Sequence, residues 1–127
     1  MTDSSHQQIR EGQGWRLGWR PHAAVYPGLI AGETWALEVT AAELADLQRL
    51  AVELADTMTQ MAALLMDEER LTCEAESELI WLEADGFPQS YSLRFILLSG
   101  RGAEGGWPEA VVPKLLSALA RIGSFDG

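Results

Sequence analysis

Cysteine, lysine and histidine are scarce in this chain, and each scarcity removes a class of function. Cys73 is the single cysteine, so no intrachain disulfide can form and a cytoplasmic setting is expected. His6 and His22 are the only histidines, one in a polar N-terminal stretch and one beside Pro21. A Ser/His/Asp triad needs its base held rigidly against a nucleophile, and neither position offers that. There is no CxxC, no HExxH and no Walker loop. The glycines of GRGAEGG, residues 100–106, follow no phosphate-binding pattern, and Trp107 and Glu109 after them would crowd or repel an anion. Apolar runs are only a handful of residues long, so no membrane span is expected. Residues 1–20 contain no apolar core, so no secretory signal is expected either.

Basic charge is scarce as well. Lys114 is the only lysine, and nine basic residues face nineteen acidic ones for a net charge of −10. The deficit is local: residues 33–85 hold two arginines and fourteen acids, a net −12. A nucleic-acid binder neutralises phosphates with clustered Lys and Arg, so nucleic acid is not the expected partner. A basic protein surface or a divalent cation suits this charge better. Solvation alone is the plainer account, because acidic surfaces keep small proteins soluble.

What remains is an ordinary globular composition: 127 residues, 47% apolar and 22% charged. That is enough for one domain. Residues 1–13 are polar and expected to be a flexible tail, with a single domain over 14–123. Trp15, Leu17 and Trp19 share one parity, which is the period of a half-buried strand. Pro21 ends it. A second strand is expected within Val25–Ile30, and a third at Trp35, Leu37 and Val39. Thr40-Ala-Ala-Glu43 has capping-box spacing. The series Leu44, Leu47, Ala51, Leu54, Met58, Met61, Leu65 steps by threes and fours. It predicts an amphipathic helix of about 40 Å ending near Asp67-Glu68-Glu69. Its apolar seam could face a second chain but fits a core stripe over a sheet better, since it carries no clean e/g charge code. Leu71–Ala84 reads as a long strand, or two with a bulge near Ser77, with Cys73, Ala75, Leu79 and Trp81 facing inward. Asp85–Pro88 is a turn, Tyr91–Leu98 a strand and Gly100–Gly106 a loop. A last helix should follow Pro108, with Trp107, Val111, Val112, Leu115, Leu116, Leu119 and Ile122 on one face. The order βββα-ββ(β)α predicts an α+β fold: an antiparallel sheet from two β-then-helix halves, with helices packed on it.

The acidic cluster is the most unusual feature. Residues 67–85 hold eight acids against Arg70 alone. Glu74, Glu76 and Glu78 would share one strand face, about 6.8 Å apart in sequence order. Asp67, Glu68 and Glu69 precede them. A linear ladder converges poorly on one cation, so no metal or other cofactor is assigned. Docking of a basic partner through Glu74, Glu76, Glu78, Asp67, Glu68 and Glu69 is the functional candidate; a solvated strand edge guarded against aggregation is the bland one. Cys73 lies on the apolar parity among acidic neighbours and is expected to be inert. Trp15, Trp19, Trp35, Trp81 and Trp107 all fall at apolar-parity positions and are expected in the core.

Several long segments together resemble one known family. These are GWRLGW at 14–19, YPGLIAGETWALEVTAAE at 26–43, LMDEERLTCEAESELIWLEADG at 65–86, YSLRFILLSGRGAEGGWP at 91–108 and the closing VPKLLSAL. They look like the cyanobacterial domain-of-unknown-function family 1818, over nearly the whole chain. The resemblance implies a cyanobacterial, cytoplasmic protein. It also implies a Whirly-like fold, that of single-stranded-DNA-binding transcriptional regulators, and no established activity. The Whirly KGKAAL motif has no match here. The reading is therefore a non-enzymatic binding or assembly protein, monomer or homodimer, that docks a basic partner through an acidic face. The alternative is a single-stranded nucleic-acid-binding regulator using Arg16, Arg20, Arg94 and Arg101 with Tyr91 or an exposed Trp. Arginines sharing a sheet face with aromatics would favour that alternative, and arginines paired to acids would count against it.

Overall fold

A computed structural model describes residues 6–64 and 69–123. Each half of the chain is a four-stranded antiparallel meander followed by a helix. The first half runs β1 (Gln8–Gly12), β2 (Trp15–Trp19), β3 (Gly28–Ala31), β4 (Ala36–Val39) and α1 (Ala41–Met61). The second runs β5 (Leu71–Glu76), β6 (Ile80–Phe87), β7 (Ser90–Leu97), β8 (Glu104–Trp107) and α2 (Val112–Leu119). The α+β class and the repeated sheet-then-helix order match the sequence expectation.

The helices are exchanged between the halves. α1 packs on β5 and β6 of the second sheet, and α2 packs on β2 of the first and on β7. One apolar cluster results, joining Leu17, Ile30 and Val39 of the first sheet to Leu82, Phe95 and Leu97 of the second. The stripe Leu44, Leu47, Leu50, Ala51, Leu54 and Met58 supplies the α1 side of it. Thr40 starts α1 as expected: the Glu43 N–H donates to Thr40 Oγ1 at 3.0 Å and the Thr40 N–H to Glu43 Oε1 at 2.8 Å. Gln48 on α1 donates through Nε2 to the Leu119 and Ile122 carbonyls, both at 2.8 Å, satisfying the end of α2. Among the described residues, no helix is long and apolar enough to cross a membrane.

Several local expectations are corrected. Gln8–Gly12 is a strand paired along its length with β2, where a flexible tail was expected. It is polar because it is an edge, flanked by one strand only among the described residues. The helix after Thr40 ends at Met61, so the described part stops short of the acids expected at its end. Asp67 and Glu68 lie outside the described residues. The stretch 71–84 is neither one strand nor a bulged pair. It reverses at Ser77, whose Oγ accepts from the N–H groups of Leu79 at 3.1 Å and Ile80 at 3.2 Å. The reversal resets the phase, so Ile80, Leu82 and Ala84 are buried and Trp81 faces outward. β6 continues through Phe87, placing the expected Asp85–Pro88 turn later, at Pro88-Gln89.

The glycine-rich run also differs: Glu104–Trp107 is a strand, not a loop. Its glycines provide close approach. A Cβ on Gly105 would stand 2.9 Å from the Trp35 ring, and one on Gly106 2.7 Å from the Leu93 carbonyl oxygen. Trp107 therefore ends a strand instead of opening a helix. α2 begins at Val112, with Pro113 in its first turn where a missing N–H costs nothing. Of the five tryptophans only Trp107 is fully buried; Trp15, Trp19 and Trp35 are half-buried against the core.

These placements give opposite expectations for two aromatic truncations. Phe95→Ala should cost about 3–5 kcal/mol in urea unfolding, because Phe95 is fully buried. Trp81→Ala should cost about 1 kcal/mol or less, the scale of a cross-strand pair on a solvated face. Equal losses would contradict the assigned facing of β6.

Candidate acidic face

The candidate site is the face of the second sheet turned away from α1. Cross-strand pairs place its side chains in rows. Thr72 stands opposite Asp85, Glu74 opposite Glu83 and Glu76 opposite Trp81, while Glu83 faces Arg94 on the other side. Glu74 and Glu76 are exposed on β5 as expected. Glu78 is exposed too, but it lies in the Ser77–Leu79 reversal and extends the row past the strand end. Glu69 lies just before β5 and is exposed. The structure thus brings Glu74 and Glu76 onto one strand face with Glu78 beyond its end, while Asp67 and Glu68 lie outside the described residues.

Sequence reading missed Glu83, Asp85 and Glu104 as members of this face. For Glu83 the signal was its parity with Trp81, which was assigned to the core; Asp85 was expected in a turn, and Glu104, expected in a loop, joins the face by pairing with Ile96 beside Trp81. The centre of the face is compensated. Arg94 lies 3.5 Å from Glu83 and 3.6 Å from Glu104, with its guanidinium 4.7 Å from the Trp81 ring centre. The Trp81 indole N–H donates to Glu74 Oε1 at 3.2 Å. Asp85 accepts from Thr72 Oγ1 at 2.7 Å and from Arg70 Nη2 at 2.9 Å. Those two hydrogen bonds, Thr72 first, hold its carboxyl below the usual carboxylate range. At the rim, Glu76 and Glu78 have no cation partner among the described residues.

The other candidates are placed as follows. Cys73 points under α1, 3.8 Å from Met58 Sδ, and burial raises its thiol pKa. A neutral, partly covered thiol is a poor nucleophile. The four arginines of the nucleic-acid alternative do not gather on one face but divide between the two sheets. Arg20 pairs with Glu38 at 2.8 Å, and Arg101 reaches the buried Glu43 at 3.3 Å and stacks on Tyr26. Arg94 is held as above, and Arg16 sits on the other sheet. Three of the four are thus paired to acids, the arrangement that counts against that alternative. Among the described residues no group of three or more His, Cys, Asp or Glu side chains is placed to hold a metal ion.

Fold and surface together define a two-half α+β protein with an acidic, solvent-facing sheet. The chain belongs to the family described as a domain of unknown function, DUF1818, which matches residues 10–122. It is also similar to a crystal structure of a protein of unknown function, described as from the DUF155 family, from Prochlorococcus sp. NATL2A. The identity is 32% and the TM-score 0.83, over 88% of this chain and 95% of that one. No curated protein matches the chain.

The lowered Asp85 pKa sets a pH dependence. Its stabilising contribution is fully present above the unfolded carboxylate pKa of about 3.9 and is lost as pH falls through the lower folded value. The melting temperature of Asp85→Asn should therefore lie below the parent's at pH 5–7, and the gap should close in more acidic solution. A gap that persists undiminished at the lowest pH would show that the carboxylate's charge is not what stabilises.

Proposed function

We propose that this protein is a non-enzymatic, cytoplasmic binding or assembly protein of cyanobacterial origin that docks a basic partner on its acidic sheet face. The observation that carries this reading is the contrast between centre and rim. Arg70 and Arg94 satisfy the inner carboxylates, whereas Glu76 on edge strand β5 and Glu78 just past its end stand exposed with no cation partner among the described residues. Among the described residues β5 has a strand neighbour on one side only, β6. Its outer backbone groups can accept an extended segment, and the carboxylates would choose one bearing Lys or Arg. They also discourage pairing of β5 with a second acidic copy. Charges of this kind act mainly on encounter rate and partner choice. The similar Prochlorococcus protein supports the cyanobacterial origin.

The test is fluorescence anisotropy with a labelled Arg/Lys-rich peptide of about fifteen residues, long enough to extend along a strand of the usual length. Glu76→Lys with Glu78→Lys should weaken binding at least about tenfold, the effect of about 1.4 kcal/mol. Glu53→Lys with Asp56→Lys makes the same charge change on the exposed side of α1 and should have a much smaller effect. Equal losses from the two pairs would reduce the face to nonspecific charge and end the reading. Tight, salt-sensitive binding of a single-stranded oligonucleotide at micromolar concentration would favour the nucleic-acid alternative instead.

A further inference from the structure

The basic residues divide into two groups. Arg20, Arg49, Arg70, Arg94 and Arg101 each pair with a carboxylate. Arg10, Arg16, Lys114 and Arg121 make no side-chain ion pair or hydrogen bond among the described residues. In a chain with nineteen acids and nine bases, unpaired cations are not expected to gather. These four do. They line two adjoining grooves that share Trp15 and Glu11.

The larger groove, about 660 Å³, runs between edge strand β1 and helix α2. Arg10 stands opposite Leu17 in the β1–β2 register, on the sheet face that α2 covers. Two residues earlier, Gln8 accepts from the Gly123 N–H at 3.3 Å, which fixes this strand beside the end of α2. Lys114 and Ser117 of α2 and Arg121 in the turn just after it line the groove with Arg10. The smaller groove, about 480 Å³, lies at the tips of the β1–β2 and β3–β4 hairpins, between Trp15 and Trp35, with Arg16 and Glu33 on its walls. Both volumes fall in the range of small-ligand sites, about 300–1,000 Å³. The half-buried Trp15 indole lies over Gly12, where a Cβ would come 2.5 Å from its ring nitrogen. That leaves a rigid aromatic wall common to both grooves. Four cations outweigh the two carboxylates, Glu11 and Glu33, so the local charge opposes the −10 of the whole chain.

We propose that the groove around Trp15 binds a small phosphate-bearing ligand with a planar ring, of nucleotide size. Arg10, Lys114 and Arg121 hold the phosphates, with the Ser117 hydroxyl as an additional donor. The ring lies against the Trp15 indole, at the junction of the two grooves. Guanidinium groups suit phosphate because two parallel N–H bonds can meet two oxygens. The indole supplies the stacking surface that inorganic phosphate does not use. The site is open, so the affinity is modest.

Calorimetric and tryptophan-fluorescence titrations with ADP, pyrophosphate and adenosine test this. ADP should bind at low salt with a dissociation constant of about 0.1–1 mM. Pyrophosphate should bind several-fold more weakly, and adenosine not measurably. Arg10→Gln with Arg121→Gln alters two exposed, unpaired side chains and should leave the melting temperature unchanged while weakening ADP at least about tenfold. Trp15→Phe should weaken ADP without changing pyrophosphate. Absence of ADP binding, or ADP binding unaffected by the Arg10/Arg121 pair, overturns the proposal. Pyrophosphate binding as tightly as ADP overturns the role of the ring.

Discussion

Two indole hydrogen bonds cross between the halves of this molecule, and the rest of the fold depends on them. Trp107 Nε1 donates to the Ala31 carbonyl at 2.9 Å, and Trp35 Nε1 donates to the Gly106 carbonyl at 3.3 Å. The two rings pack on each other and on Phe95, with centroids 5.3–5.6 Å apart. Each such aromatic pair adds about 0.5–1.5 kcal/mol beyond the area it buries. Each tryptophan thus satisfies a backbone carbonyl of the other half while filling the shared core. The buried Glu43 carboxylate adds a polar tie. It caps its own helix and accepts from Ser99 Oγ at 2.7 Å and Arg101 Nη2 at 3.3 Å in the second half. A buried carboxylate is tolerated because each of its oxygens is hydrogen-bonded.

This joining leaves the outer face of the second sheet free of helix, and that freedom makes its charge pattern consequential. α1 covers one side of β5 and β6, so every second residue on those strands faces solvent. Arg70 and Arg94 are spent in the middle of the face, and the edge stays acidic. The cations with no ion pair among the described residues gather along β1, β2 and the α2 end. A chain of net charge −10 therefore carries two separate surfaces of opposite character, built on different elements.

The class of the fold was legible because Thr40-Ala-Ala-Glu43 and the stripe from Leu44 to Met58 are local signals that tertiary contacts reinforce. The strands around the helix were legible where alternation was strong, as at Trp15–Trp19. Three features were not. β1 has no apolar alternation to read, since an edge strand of polar residues resembles a tail. Gly105 and Gly106 resemble a loop until the Trp35 ring is placed over them. Ser77-Glu78-Leu79 contains neither Gly nor Pro, so its reversal left no punctuation, and the error passed directly to Trp81, Glu83 and Asp85. The acidic composition of the site was therefore visible, and its membership was not. The groove around Trp15 was hidden for a different reason: it joins residues 10–16 to residues 114–121, which only the packing of α2 on the first sheet brings together.

Hydrogen–deuterium exchange of the whole chain, with and without a saturating Arg/Lys-rich peptide, tests the central claim most directly. If a basic segment docks along the free edge of β5, amides in residues 71–78 should exchange more slowly in the complex, while α1 and the β1–α2 groove stay unchanged. Saturated binding without protection in that segment, or with protection centred on α1, would contradict the assignment of the acidic sheet edge as the docking surface.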